Sequence, residues 1–219
     1  MSKSLIEKFF SILQYIIFNI IAPKMHAGLL KNFVDSCFAI FEKIAYRFDF
    51  LAQFYLKIFE ELVENEIKIL DISKKNSVLV IGGGSVPVTP ILIAMKTDAN
   101  IESIDFNQKA IIDSKKVIES FEIKNKIKII HAHGQSYSLE RFDVIFIVYG
   151  IKWEKELLSH IAKNMKETTQ VIFRTTVTTD KTKEDKIISL SKLFDVKKVV
   201  RTKSFGQTDS ILLKKKINS

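Results

Sequence analysis

Asp105 follows three consecutive glycines, Gly82–Gly84, by roughly 20 residues, in a chain that places nearly half of its 7 glycines at that one spot. The glycines sit in VLVIGGGSVPVTPILIA (Val78–Ala94), after four apolar residues and before an apolar run. Glycine permits tight turning and lets a ligand approach the main chain within contact distance. A carboxylate at the end of the next strand can accept hydrogen bonds from both hydroxyls of a ribose. A strand, a glycine turn, a helix and a second strand ending in an acid together describe a site for a nucleoside cofactor.

The residues around the turn narrow the cofactor. The dinucleotide pattern G-x-G-x-x-G asks for glycine at position 87, where Pro87 stands, and no G-x-x-x-x-G-K-[ST] occurs. S-adenosylmethionine carries a ribose and an adenine but no phosphate, and fits better. Its amino-acid arm would lie along Gly82, Gly83 and Gly84. Asp105 would take the ribose, and Phe106 would pack on the adenine face. Gly134 and Gln135 would meet the adenine edge, with the carboxamide bonding the exocyclic amine.

These residues need a scaffold, and the texture of the chain supplies one. Residues 1–72 read as helices, with Pro23 separating the first two and a further helix over about 50–70. From Ser77 onward, short β-branched runs alternate with helical patterns. SVLVIG, ANIESIDF, KIKIIHAH, FDVIFIVYG, QVIFRTTV, VKKVVRT and DSILLKKK read as strands. Asn107 is the expected N-cap of the helix after Asp105, and KEDKIISLSKLF reads as a later helix. No helix separates the last two strands, so they are expected to pair antiparallel at one edge. The expected fold is α/β: a seven-stranded, doubly wound, Rossmann-like sheet of the class I methyltransferase type, with an N-terminal helical cap. Its expected division is a cap over 1–72 and a cofactor-binding domain over 73–219.

Composition removes several other classes. With 47% hydrophobic and 27% charged residues the chain reads as an ordinary globular protein. The net charge of +9 lacks the dense basic and aromatic interleaving of a nucleic-acid binder, so no nucleic-acid partner is expected. Cys37 is the single cysteine, which excludes an internal disulfide and suits a reducing cytoplasm. His131 and His133 alternate on one expected strand without further ligands at metal spacing, so no metal is expected. Leu5–Ala22 is strongly apolar but is interrupted by Glu7, Lys8, Gln14 and Asn19. It reads as a core-packing helix and not as an integral membrane segment. The phenylalanines of the helical zone leave open a homodimer through the N-terminal helices.

VIGGGSVPVTPILIA resembles the signature of the nicotianamine synthase family, a glycine-rich turn followed by Pro-Leu-Pro-Leu-Thr. Pro87 and Thr89 match it, while Ser85 replaces the first proline. Phe142–Thr175 and DSILLKKK are similar to later stretches of that family. NEIKIL sits where the archaeal type carries an Asn-Glu pair. The resemblance spans roughly residues 55–216 and implies that Pro87 and Thr89 belong to the cofactor site. It also implies transfer of the aminocarboxypropyl arm of S-adenosylmethionine to an amine, with release of methylthioadenosine. On the resemblance, the helix before the glycine loop lends acidic and tyrosyl groups to catalysis. Tyr55 and Glu66 are the candidates, Glu61 being turned about 140° from Glu66 around the helix. Arg174, at a strand end, would hold a substrate carboxylate, and Tyr149, after the fourth strand, would contact substrate. The family's glycine and aromatic residues after that arginine are absent from TTVTTDKTKED. Methyl transfer to a small molecule, the commoner chemistry on this fold, stands as the alternative. A non-catalytic module that docks a partner or membrane through its apolar helices is the third reading.

Overall fold

The computed structural model describes residues 49–70, 72, 76–121, 123–176, 180–202 and 208–216. The expectations placed on Leu5–Ala22, on Cys37 and on a dimer through the N-terminal helices lie outside these residues.

The described chain begins with helix α1 (Asp49–Leu70), then runs β1 (Ser77–Ile81), α2 (Val88–Lys96), β2 (Asn100–Asp105) and α3 (Gln108–Glu119). After a 3₁₀ turn at Lys124–Lys126 come β3 (Ile127–His131), β4 (Val144–Ile147), α4 (Glu154–Asn164) and β5 (Gln170–Thr176). Helix α5 (Asp180–Ser191), β6 (Phe194–Thr202) and β7 (Thr208–Lys215) complete it. The strands form one seven-stranded sheet in the order β3-β2-β1-β4-β5-β7-β6. Strands β1 to β5 pair in parallel, and β7 runs antiparallel between β5 and β6. The expected antiparallel pairing of the last two strands is therefore observed, with β6 as the outer member. Helix α5 starts and stops earlier than its sequence pattern suggests. Phe194, read as the end of that helix, instead opens β6, where it is buried opposite Lys215.

Both faces of the sheet are covered, so β1 and β4 read as nearly unbroken apolar runs. On one face Leu79, Ile81, Ile145, Ile147, Val171 and Phe173 pack against Leu157, Leu158 and Ile161 of α4 and Leu190 of α5. On the other, α1 lies against α2 and reaches β6 and β7. Tyr55, Leu56, Phe59, Leu62 and Val63 are the buried side of α1. Lys96 on α2 ties the two helices together by reaching Glu60 at 2.7 Å and Glu64 at 2.6 Å. These groups are partly solvated, so the tether fixes alignment more than it adds stability. Helix α1, assigned to the cap from its sequence, falls in one compact unit with the sheet, Ala45–Ser219.

The parallel strands deliver their carboxyl ends to one edge. Ile81 stands opposite both Ile104 and Ile147, and Phe173 opposite Ile147. The residues that follow these four, Gly82, Asp105, Val148 and Arg174, therefore reach the edge where ligands bind in doubly wound sheets. Among the described residues, no helix is long and apolar enough to cross a membrane.

Candidate functional site

The turn out of β1 is built by the glycines' own neighbours as well as by any ligand. Gly82 and Gly84 take left-handed φ values of 88° and 67°, a region that penalises any residue with a Cβ. A Cβ on Gly82 would sit 2.7 Å from Ile151 Cδ1, and one on Gly83 2.2 Å from Ser103 Oγ. Side chains of the protein thus already press on two of the three positions. The backbone N–H groups of Gly82 and Gly83 both donate to the Ile104 carbonyl, at 2.9 and 3.2 Å. The turn is thereby stitched to the end of β2.

That stitching leads to Asp105. Its Oδ2 accepts from the Gly84 N–H at 3.0 Å and its Oδ1 from the Asn107 N–H at 2.8 Å. Asn107 is the N-cap expected from the sequence, its side chain accepting from the Lys109 and Ala110 N–H groups. Each carboxylate oxygen carries two lone pairs. One on each oxygen is engaged, and the other remains for a ligand hydroxyl. The carboxylate is half-buried, so it is held in place and still reachable. This pair of acceptors suits a vicinal diol beside a glycine turn.

Phe106 follows directly and is 36% exposed. Its ring meets His133 and Trp153, with centroids 6.1 and 5.7 Å away, and Lys152 Nζ lies 5.1 Å from the ring centre. Gly134 and Gln135 occupy the turn after β3. The want of a side chain at Gly134 has a packing cause: a Cβ there would approach Ile81 Cγ2 at 2.9 Å and Leu157 Cδ1 at 3.0 Å. Gly134 lets that turn nestle between β1 and α4, which brings Gln135 to the same edge as Asp105.

The other expected residues gather on the α1 side of the sheet. Arg174 Nε and Nη2 donate to the two oxygens of Glu66 at 2.8 and 2.6 Å, and Nη1 donates to Thr89 Oγ1 at 2.8 Å. Ser210 Oγ donates to Glu66 Oε1 at 2.6 Å. Glu66 and Arg174 are both buried. Burial works against the charge on Arg174, but the attraction and hydrogen bonds of Glu66 outweigh it and hold the guanidinium above its usual pKa. The expectation that Arg174 offers an open hook for a substrate carboxylate is not what the geometry shows: all three guanidinium nitrogens are already engaged. Thr89, expected to face a cofactor, is buried and turned to Arg174 instead. Pro87 is likewise buried, and its carbonyl accepts from the Ile91 N–H to open α2.

Tyr55 and Glu66 are 11 positions apart, three helical turns, and share one face of α1. Tyr55 is buried edge-on to Phe59, with centroids 5.0 Å apart. Tyr149 bonds Thr208 through its hydroxyl, and burial pushes its pKa up to about 12. Behind it, Asp209 is fully buried and held by Arg201 Nε at 2.8 Å and Nη2 at 3.0 Å. The structure therefore forms two groups: a partly exposed edge (Gly82–Gly84, Asp105, Phe106, Gln135) and a buried polar seam (Glu66, Thr89, Arg174, Ser210).

Sequence reading missed Ser103, Ser210 and Trp153, and weighed His133 only as a metal ligand. The first two are small polar residues inside apolar strands, where only a tertiary partner reveals their purpose. No group of three or more His, Cys, Asp or Glu suited to a metal occurs among the described residues.

No protein-family model matches the sequence, and neither does any curated protein. Solved structures do. A mutant of the nicotianamine synthase MtNAS in complex with S-adenosylmethionine superposes with a TM-score of 0.76, at 16% identity, over 99% of this chain and 93% of that one. MtNAS in complex with MTA and tNA gives 0.68, at 17% identity, over 98% and 90%. A candidate S-adenosyl-L-methionine-dependent methyltransferase from Methanococcus maripaludis gives 0.65, at 13% identity, over 81% and 94%. With its strand order and its antiparallel β7, the chain has the Rossmann-like fold of the class I S-adenosylmethionine-dependent methyltransferases, shared with MtNAS.

Proposed function

We propose that the chain is a transferase that uses S-adenosylmethionine. The observation that carries this reading is Asp105, pinned by two backbone N–H groups beside a glycine turn with one lone pair of each oxygen left over. Phe106 presents an aromatic face next to it, and Gln135 a carboxamide at the same edge. MtNAS, which shares this fold, is solved in complex with this compound and with MTA, which supports the same ligand here.

The favoured reaction is aminocarboxypropyl transfer to an amine, giving a nicotianamine-like product. Bound S-adenosylmethionine supplies a sulfonium that activates each attached carbon, and the position of the acceptor selects among them. A nitrogen–carbon bond forms to the arm, the carbon–sulfur bond breaks with its electron pair going to sulfur, and the amine gives up a proton. The glycine–Pro–x–Thr resemblance and the likeness to MtNAS favour this outcome. Glu66 and Tyr55 are the candidates to handle the acceptor, with Tyr149 and Arg174 bounding its end of the site. Oε1 of Glu66 already accepts from Arg174 and Ser210, so the acceptor would have to reach the second lone pair of the buried Oε2, which takes only Arg174 Nη2.

The second reading is methyl transfer to a small molecule, which the same edge would serve. Product analysis separates the two: methylthioadenosine marks arm transfer and S-adenosylhomocysteine marks methyl transfer. Finding only the latter ends the favoured reaction. Binding of S-adenosylmethionine without turnover of any amine favours a non-catalytic module. The setting this proposal assumes is the reducing cytoplasm, in keeping with the lone Cys37.

A further inference from the structure

Trp153 is the sole tryptophan of the chain and the one described non-glycine residue with a positive φ, at 54°. A left-handed backbone disfavours a residue with a bulky side chain. Such strain persists where the surroundings hold it, and it concentrates at ligand sites. The position is also unusual for its exposure. Trp153 is 51% exposed and Phe106 36%, yet the two rings touch edge to face. His133 completes a triangle, 6.1 Å from Phe106 and 6.2 Å from Trp153. The three rings come from three separate segments: the end of β2, the turn after β3 and the start of α4. Buried packing does not explain them, because each remains open to water. They stand directly beyond Asp105, whose free lone pairs mark where a ribose would lie.

We infer that Trp153 is the affinity-determining residue for the purine end of the ligand, contacting the base together with Phe106 and His133. The base would lie against the Phe106 face that Lys152 Nζ now covers at 5.1 Å, so Lys152 must swing aside. A cation over an aromatic face on the surface is held weakly, and the purine replaces it with a larger stacked contact. This inference rests on the proposed nucleoside reading and adds a residue to it. With the left-handed turn at 153, the indole meets Phe106, the residue that follows β2.

The test uses methylthioadenosine and S-adenosylmethionine as probes, with calorimetry and intrinsic fluorescence on the full chain. Trp153 is the only indole fluorophore, so its emission reports the site without mutation. Saturable change in that emission is expected with both nucleosides, and none with free methionine, which lacks the base. Trp153→Ala is expected to weaken both nucleosides by about tenfold, as for loss of one stacked contact. Trp153→Phe should stay within about threefold of wild type, since an aromatic ring remains. Trp153→Gly guards against a folding artefact: glycine accepts this backbone freely, so Tm should hold or rise while affinity falls as for alanine. If calorimetry shows normal binding while emission is unmoved and Trp153→Ala binds as wild type, the inference is overturned and the nucleoside reading stands. If neither nucleoside binds wild-type protein, the nucleoside reading fails and takes this inference with it.

Discussion

Arg174 grips Glu66 by both carboxylate oxygens across 108 positions of sequence, and both side chains are buried. A buried charge that loses its partner is left without compensation, at a cost of about 3–5 kcal/mol. Glu66→Ala and Arg174→Ala are each expected to lose that much in urea unfolding. Glu66→Leu combined with Arg174→Met removes both charges and should recover at least half of the loss. A single variant as stable as wild type would show that the pair does not hold α1 to the sheet.

The glycine turn allows steric pressure to be separated from backbone handedness. Gly150 has φ 75° and nothing near its missing Cβ, whereas Gly82 has φ 88° and Ile151 Cδ1 at 2.7 Å. Gly150→Ala should cost only the left-handed penalty, about 1–2 kcal/mol. Gly82→Ala should add overpacking of about 1–3 kcal/mol. Equal denaturation midpoints for the two variants would mean that Ile151 yields freely and that clearance at Gly82 has another cause.

Tyr149 gives a pH signature. Burial raises its pKa from 10.0 to about 12 in the folded chain. Below pH 10 both states keep the proton and the full contribution is present. Between pH 10 and 12 the unfolded chain ionises first, so stability falls, by on the order of 2–3 kcal/mol for this group. Tyr149→Phe should begin less stable, lacking the hydrogen bond to Thr208, and then close the gap with wild type as pH rises through that window. Parallel stability curves for the two proteins would rule out a raised pKa at this phenol.

Asp105→Ala is expected to weaken S-adenosylmethionine binding by about 1.5–3 kcal/mol, the range for hydrogen bonds to a charged group. Part of that loss is indirect, because the carboxylate also holds the Gly84 and Asn107 N–H groups. Asp105→Asn keeps an acceptor for one of them and should fall between. Calorimetry that finds alanine equal to wild type would remove Asp105 from the ligand site.

How far the sequence could be read depended on whether the signal was local. Strand runs, the N-cap at Asn107 and the missing helix before β7 are set by residues within a few positions of one another, and the antiparallel pairing of the last two strands followed from them. Asp105 was legible as a strand-ending acid, because its place at the end of β2 is a local fact. The Glu66–Arg174 pair was not: each residue alone reads as a solvated charge or a ligand hook, and only the folded chain brings them together. Thr89 went the same way, since a threonine beside a glycine turn gives no sign of which side it faces. Gly82 and Gly83 were legible as positions without room for a side chain. That Ile151 and Ser103 take up much of that room came from elements far along the chain. Trp153 in KWEKELL looks like an ordinary helix start, because handedness at one residue leaves no trace in hydrophobic periodicity.

The placement of β7 bears on how the molecule is made. Thr208–Lys215 is the wedge between β5 and β6, and all seven register pairs of β5 with β7 require it. During synthesis, β1 to β5 can assemble as they emerge, but β6 has no neighbour until these last strand residues arrive. The nascent chain therefore carries an unpaired β5 border, a template for mispairing, until β7 has emerged. Since α1 rests on this same half of the sheet, the earliest described helix waits on the latest described strand.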